Sequence, residues 1–198
     1  MYNYVVTLFV ILNAFFDFNY FIKTLYGVWS GRICKGKCTL NEVTTVYGIC
    51  SFRDCNITFN SIRLARLIRQ LDFARYNFYD RTGIYQRSKE LKVTSLQGCT
   101  LTVTYEPVPL FWRYKIETEL VYWDDRSLFL EHKVITLCDA RVRSFIVSRQ
   151  HVIGENAQSA SSLLEGLPGS EVRPVCREYL KDWFKSMEIS SAKLRSVK

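Results

Sequence analysis

A helical pattern from Ile62 to Tyr79, followed by alternating strands that run up to Ile153, constrains the fold of this chain more than any other feature. One helix followed by a run of antiparallel strands predicts an α+β fold in which the sheet wraps around a single buried helix. Apolar side chains recur along the helix at intervals of three and four, which predicts that this stripe faces the core: Leu64, Leu67, Ile68, Leu71, Ala74 and Phe78. Asn60 or Ser61 is the expected N-cap, and Gly83 is expected to end the helix in a left-handed conformation.

The strand patterns are clearest in the second half of the chain. Apolar and polar residues alternate from Arg113 to Tyr122, which indicates one buried and one solvated face. Two turns with aspartates, Trp123–Arg126 and Cys138–Arg141, separate the later strands. A weaker alternation over Asn41–Phe52 predicts a first strand.

Three further expectations concern polar and C-terminal segments. Glu131-His132-Lys133 is interpreted as a solvent-facing or interface stretch, with structural roles for His132 and His151. A short amphipathic helix is predicted over Glu178–Met187, followed by a mobile tail to Lys198.

The composition limits the partners that this chain can have. Its 198 residues suit one domain with appendages, and 48% are hydrophobic, enough for a core. The net charge of +8 has two interpretations: it favours binding of anionic partners, or it belongs to an ordinary basic surface. The arginines 63, 66 and 69 share one helix face, either solvated or phosphate-binding. No Lys/Arg run is long enough for a nucleic-acid arm, so no nucleic acid is expected.

The seven cysteines are interpreted as reduced thiols. Their number is odd and they are scattered through the chain, as expected for a cytosol-like compartment. The pairs Cys34/Cys38 and Cys50/Cys55 have irregular spacings for a structural zinc site. No metal is therefore expected. No cofactor is expected either, because the sequence has no phosphate-binding glycine loop and no dinucleotide fingerprint.

The first 22 residues raise the question of a membrane segment. They contain one charged residue, Asp17, and as a helix would extend about 33 Å, enough to cross a bilayer. A retained anchor, a signal cleaved near Val28–Ser30 and a buried core helix are the alternatives. The basic residues after the segment favour an anchor with a cytosolic domain: Lys23, Arg32, Lys35 and Lys37.

Three motifs in order resemble one known family. They are Leu71-Asp72-Phe73-Ala74-Arg75, the stretch Tyr79–Gly83 and the stretch Tyr122–Glu131. Together they are similar to the thioesterase superfamily member six family, a eukaryotic branch of the hot-dog fold related to bacterial 4-hydroxybenzoyl-CoA thioesterase. The likeness implies an antiparallel sheet around one long central helix, a homodimer, and acyl-CoA or another acyl lipid as ligand. It also implies a location at the endoplasmic reticulum membrane, with secretion after signal cleavage as the alternative.

The predicted organisation combines these observations. Residues 1–22 are an anchor or signal-like segment, and residues 23–40 are a basic linker. Residues 41–155 are the hot-dog domain, and residues 156–198 are a C-terminal extension with a short helix.

Most residues of the family's site motif are replaced in this chain. The family pattern has two aspartates, then His-Met-Asn-Asn, then a tyrosine. Here Asp54 matches the first aspartate and Asn56 the second, while Ser61–Leu64 stands at the His-Met-Asn-Asn positions and Leu67 at the tyrosine. Asp54 is thus the candidate catalytic carboxylate, or a turn-forming aspartate, and Ser61 and Arg63 are candidate substrate-binding residues.

The loss of these polar groups predicts weak chemistry. One positioned acid–base group contributes roughly 10²–10⁴ in rate. We therefore expect a weak or inactive acyl-CoA-binding or lipid-binding protein. The alternative is an active thioesterase that hydrolyses fatty acyl-CoA through Asp54.

Overall fold

The computed structural model describes residues 4–8, 22, 36–154 and 159–196. Nine main elements follow in chain order from residue 44: β1 (Thr44–Ile49), α1 (Leu64–Thr82), α2 (Ile84–Glu90), β2 (Val93–Thr104), β3 (Arg113–Trp123), β4 (Ser127–Thr136), β5 (Val142–Gly154), α3 (Ala160–Leu164) and α4 (Glu178–Ser196).

The five strands form one antiparallel sheet in the order β1-β3-β4-β5-β2. The predicted turn between β3 and β4 is confirmed, because Asp124 Oδ1 accepts hydrogen bonds from the backbone N–H groups of Arg126 (2.8 Å) and Ser127 (2.6 Å). The turn between β4 and β5 is confirmed as well. The first strand is shorter than the predicted Asn41–Phe52, since β1 ends at Ile49 and the chain then enters the loop before α1.

The central helix α1 covers one face of the sheet. Leu67, Leu71, Ala74 and Phe78 are buried, as the apolar stripe predicts, whereas Leu64 is 49% exposed. The stripe therefore begins one turn later than expected. Residues from β3, β4 and β5 complete this core, and the most deeply buried ones are Tyr114, Ile116, Leu128, Leu130, Val134 and Ile146.

The two ends of α1 differ in how they are capped. The predicted cap by Asn60 or Ser61 is wrong: Arg63 is the N-cap and its side chain makes no capping hydrogen bond. Ser61 Oγ instead donates to Asn60 Oδ1 over 3.0 Å, inside the preceding loop. At the other end, Gly83 has φ of 87°, which confirms the left-handed cap.

The C-terminal helix α4 packs on the opposite face of the sheet. It has 19 residues and extends to Ser196, so the prediction of a short helix ending at Met187 with a mobile tail is wrong. Phe129 of β4 contacts the rings of Trp183 and Phe184, with centroids 6.2 and 4.8 Å away. Leu180 is fully buried in the same cluster. These apolar contacts come from the first half of the helix, because the described side chains after Met187 are exposed.

The stretch around His132 is buried, which corrects its interpretation as solvent-facing. Glu131 and His132 are each 1% exposed. They lie on β4, the central strand of five, and both of its faces are covered by a helix. Side chains alternate along a strand, so His132 points toward the α1 side and Glu131 toward α4.

Of the predicted membrane segment, residues 1–22, only residues 4–8 and 22 are described, and most of the predicted linker lies outside the described residues. Of the part that the structure does describe, no helix is both long and apolar enough to cross a bilayer.

Candidate functional site

The loop between β1 and α1 holds the three predicted site residues close together. Asn56 N–H donates to the carbonyl of Ser61 (2.9 Å), and Arg63 N–H donates to the carbonyl of Asp54 (2.8 Å). Ile62 N–H donates to the carbonyl of Val108 (2.9 Å), which ties the loop to the segment before β3. These bonds fix Asp54, Ser61 and Arg63 at the start of α1.

The carboxyl group of Asp54 makes its hydrogen bonds within the loop. This residue ends a single 3-10 turn, Phe52–Asp54, and is 5% exposed. Its Oδ2 accepts hydrogen bonds from the hydroxyl of Ser51 (2.6 Å) and from the backbone N–H of the same residue (3.3 Å). This geometry is that of a turn-forming aspartate. Burial raises the pKa of the neighbouring Tyr114 phenol, and the charge of Asp54 raises it further.

Ser61 and Arg63 differ in what they can do. The hydroxyl of Ser61 is buried in a hydrogen-bonded loop, where it also accepts from Asn56 Nδ2 over 3.3 Å. Arg63 is exposed, and its Nη2 donates to the carbonyl of Arg53 over 3.3 Å. Arg63 thus places a positive charge on the exposed side of the loop. The roles of Asp54, Ser61 and Arg63 toward a substrate stay predictions.

Two buried thiols belong to the same loop. The Sγ atoms of Cys50 and Cys55 are 3.7 Å apart. Burial, together with the neighbouring Cys55, raises the pKa of Cys50 to about 12, so this thiol stays protonated and is a poor nucleophile. Cys38 lies elsewhere, with its N–H on the carbonyl of Arg81. Cys34 is outside the described residues, and among those described no three metal-binding side chains cluster.

A buried polar network between α1 and the sheet was not expected from the sequence. Arg75 Nη1 donates to Gln97 of β2 and to Gln150 of β5, both over 3.0 Å, and Nη2 donates to Asp72 over 2.9 Å. The Arg75 side chain is 12% exposed. Asp72 and Arg75 belong to the first family motif, and this network shows that they join the central helix to two strands. The sequence signal for this network was the position of Arg75 within the apolar stripe of the helix.

His132 is part of the same polar layer. Its Nδ1 shares a hydrogen bond with Thr118 Oγ1 (2.9 Å) and its Nε2 with Ser148 Oγ (3.0 Å). Burial lowers the pKa of His132 to about 3, and the positive charge of Arg75 contributes to the lowering. The imidazole is therefore neutral at physiological pH and connects three strands.

This neutral histidine predicts a loss of stability in mild acid. Unfolded His132 takes up a proton near pH 6.5, whereas the folded residue does so only near pH 3, so the unfolded state gains protons first as the pH falls. We expect His132 to remove about 2–3 kcal/mol of unfolding free energy between pH 7 and pH 4.5. Urea unfolding at both pH values should show a smaller loss for His132→Gln. His151→Gln is the comparison variant: burial also lowers the pKa of the half-buried His151, so its loss should lie between those of the native protein and His132→Gln. Equal losses in all three proteins would contradict the prediction.

The chain is similar to known proteins over most of its length. The family model of the thioesterase-like superfamily matches residues 50–180, from Cys50 in the site loop to Leu180 in α4. The chain belongs to the thioesterase-like superfamily. A curated relative, Protein THEM6 of Drosophila melanogaster, is 37% identical over 189 residues, which is 96% of each chain.

Solved structures support the fold of this superfamily member. SAV2348 from Staphylococcus aureus, described in complex with CoA, aligns with a TM-score of 0.54 at 12% identity over 73% of this chain and 96% of that one. YbaW from Escherichia coli, a probable thioesterase, aligns with a TM-score of 0.54 at 14% identity over 59% and 86% of the two chains. At such identities the likeness shows the hot-dog fold alone.

Two surface clefts lie at the opposite end of α1 from the site loop. They have volumes of about 570 and 550 Å³ and share Lys37, Gly83 and Gln86 in their walls. Neither cleft includes Asp54, Ser61 or Arg63. The candidate site therefore consists of the loop between β1 and α1 and the N-terminus of α1, and not of either cleft.

Proposed function

We propose that this superfamily member is a membrane-associated protein that binds acyl-CoA or another acyl lipid and hydrolyses it weakly or not at all. The observation that supports this most is the state of Asp54. Its carboxylate is buried and bonded to Ser51, and Ile62 and Leu64 stand where the related family has polar groups. A site with this content has little means to activate water.

Ligand binding is supported by the start of α1. The first turn of a helix has backbone N–H groups without intrahelical partners, and it carries a partial positive charge. No side chain caps this turn, and the exposed Arg63 lies beside it. An arginine there suits the phosphates of CoA. The Staphylococcus aureus neighbour is described in complex with CoA, which agrees with a ligand of this kind.

A homodimer and an endoplasmic reticulum location complete the proposal. In the sheet as described, β2 is an edge strand of 12 residues with exposed Leu96 and Val103, and pairing two such edges is one route to a dimer. Attachment is assigned to residues 1–22, with the folded domain in the cytosol. Release of the full-length protein by alkaline carbonate would count against attachment. A glycan on Asn56, in the acceptor sequence Asn56-Ile57-Thr58, would instead reverse the assigned orientation.

The proposal predicts that Asp54→Asn changes stability more than turnover. Across a panel of acyl-CoAs of varied chain length, hydrolysis should stay near background in both the native protein and the variant. The free energy of unfolding should fall by about 1 kcal/mol, because an amide replaces the carboxyl group that accepts from the Ser51 hydroxyl. Ser51→Ala removes the same side-chain bond and is the matched control, with a similar loss.

The alternative function gives the opposite kinetic result. If Asp54 is a catalytic carboxylate, the native protein hydrolyses an acyl-CoA above background, Asp54→Asn abolishes this and Ser51→Ala largely keeps it. That outcome would replace a binding role with an active thioesterase. Binding itself is measured separately, by titrating a non-hydrolysable acyl-CoA analogue into each protein.

A further inference from the structure

Exposed aromatic residues of the loop before α1 and of the segment before β3 form a cluster. Phe52 contacts Phe111 and Phe59 edge to face, with ring centroids 4.9 and 6.2 Å apart. Each of the three residues is still 57–58% exposed, and nearby Ile57 is 93% exposed. We refer to Phe52, Ile57, Phe59 and Phe111 as the aromatic tip. Scattered apolar residues are normal on a surface, but a contiguous set of this kind indicates a contact surface.

The backbone of the aromatic tip does not suit the residues that it carries. Phe59 has φ of 53° and Phe111 has φ of 64°, both in the left-handed region. Bulky residues seldom adopt this conformation, whereas Gly and Asn do so easily. Because neither residue is buried, the fold gains little from a phenyl ring at these positions. The rings are therefore better explained by a contact outside the domain.

Basic residues lie next to the aromatic tip along the chain. Arg53, Arg63 and Arg113 are all exposed, and Arg63 bonds to the backbone of Arg53. We refer to these three as the cationic collar. The one acidic residue in segment 51–66 is Asp54, which is buried against Ser51. Exposed phenyl rings with basic side chains close to them in the chain match the two layers of an anionic bilayer surface, its acyl boundary and its phosphates.

Other occupants fit these features less well. A second copy of the chain would bring two cationic collars together, and like charges repel. The phenylalanine and isoleucine side chains of the aromatic tip have no hydrogen-bonding group, and the acyl boundary of a bilayer requires none.

We propose that the aromatic tip inserts at the acyl boundary of an anionic lipid bilayer while the cationic collar contacts the phosphates. This docking adds a second membrane contact to the one assigned to residues 1–22. It places Ser61 and the start of α1 next to the lipid. The inference depends neither on acyl-CoA binding nor on residual hydrolysis.

The test measures the accessibility of the aromatic tip in vesicles. The full chain carrying Ile57→Cys is reconstituted in phosphatidylcholine vesicles with and without about 30% phosphatidylserine. Labelling by N-ethylmaleimide, a permeant reagent, is then resolved by peptide mass spectrometry. We expect labelling at position 57 to slow at least about fivefold with phosphatidylserine at low salt and to recover at high salt. Val175→Cys, at a residue that is 88% exposed on the segment before α4, is the matched control and should label equally in both vesicles.

A second variant separates docking from folding. Phe59→Asn with Phe111→Asn places a residue tolerant of positive φ at both strained positions, so Tm should rise by about 2–4 °C. The same substitutions should abolish the protection of position 57. A matched change elsewhere, Leu96→Asn on exposed β2, should leave protection intact.

Several results would overturn the proposal. Equal protection in neutral and anionic vesicles, or equal protection of positions 57 and 175, would exclude docking by charge at this tip. Protection in detergent that grows with protein concentration would identify a contact between copies. Protection that soluble inorganic phosphate alone reproduces would identify an anion site without a bilayer. Each outcome is independent of the acyl-CoA assays.

Discussion

Arg177→Ala is expected to lower the free energy of unfolding by about 3 kcal/mol, because it leaves a buried carboxylate poorly compensated. Glu131 is 1% exposed on the α4 side of β4. Its Oε2 accepts from Arg177 Nη1 over 2.5 Å and from the Tyr179 hydroxyl over 2.6 Å. Arg177 also donates to Glu119 over 2.9 Å, so one side chain serves two acids on the sheet. Lys133 remains near Glu131, at 3.2 Å.

Urea denaturation of two further variants assigns the loss to the buried charge. Arg177→Met combined with Glu131→Gln removes both charges and should recover most of the stability, since an apolar or neutral pair lacks the desolvation cost of an ion. Lys185→Ala breaks an exposed pair with Asp182, at 3.9 Å, and should change stability by less than about 0.5 kcal/mol. A loss for Arg177→Ala no larger than that for Lys185→Ala would show that Glu131 is compensated by other groups.

Phe129→Ala is expected to cost about 3–5 kcal/mol, the usual range for a fully buried phenylalanine. Phe129 is 0% exposed and lies between the sheet and α4. Its ring contacts Tyr122, Trp183 and Phe184 at centroid distances of 5.9, 6.2 and 4.8 Å. Removing it leaves a cavity where α4 joins the domain. Chemical denaturation measures the loss, and hydrogen exchange should show α4 losing protection before the central strands do.

Phe111→Ala is the matched control for this prediction. It removes the same ring from a position that is 58% exposed, so stability should change little or rise slightly with the less bulky residue. Phe129→Leu keeps most of the volume and should lose clearly less than Phe129→Ala. If the buried and the exposed phenylalanine were equally tolerant of alanine, α4 would not be part of the folded core.

The central helix and the later strands could be predicted from the sequence because their patterns are local. A helix that buries one face repeats apolar residues every three or four positions, and Leu67, Leu71 and Phe78 follow this rule. The turn at Asp124 could be predicted because its carboxylate bonds the backbone two and three residues ahead. Such interactions need no distant partner.

The candidate site was only partly predictable. The sequence placed Asp54 in the loop before the helix but allowed both a catalytic and a turn-forming role. The hydrogen bonds with Ser51 favour the turn-forming role, and they depend on a 3-10 turn that has no periodic pattern. The role of Arg75 was hidden for a different reason. Gln97 and Gln150 are 22 and 75 residues away along the chain.

The sequence by itself therefore determined the family, the order of the main elements and the loss of polar groups before the central helix. Tertiary structure decided which polar residues are buried. Glu131 and His132 look solvent-facing because their neighbours in sequence are polar. Glu131 meets Arg177, 46 residues away, only when α4 docks on the sheet. His132 meets Thr118 and Ser148, 14 and 16 residues away, only when the three strands pair. Periodicity records which face of an element is apolar, whereas the free energy of a buried charge depends on contacts that sequence spacing does not contain.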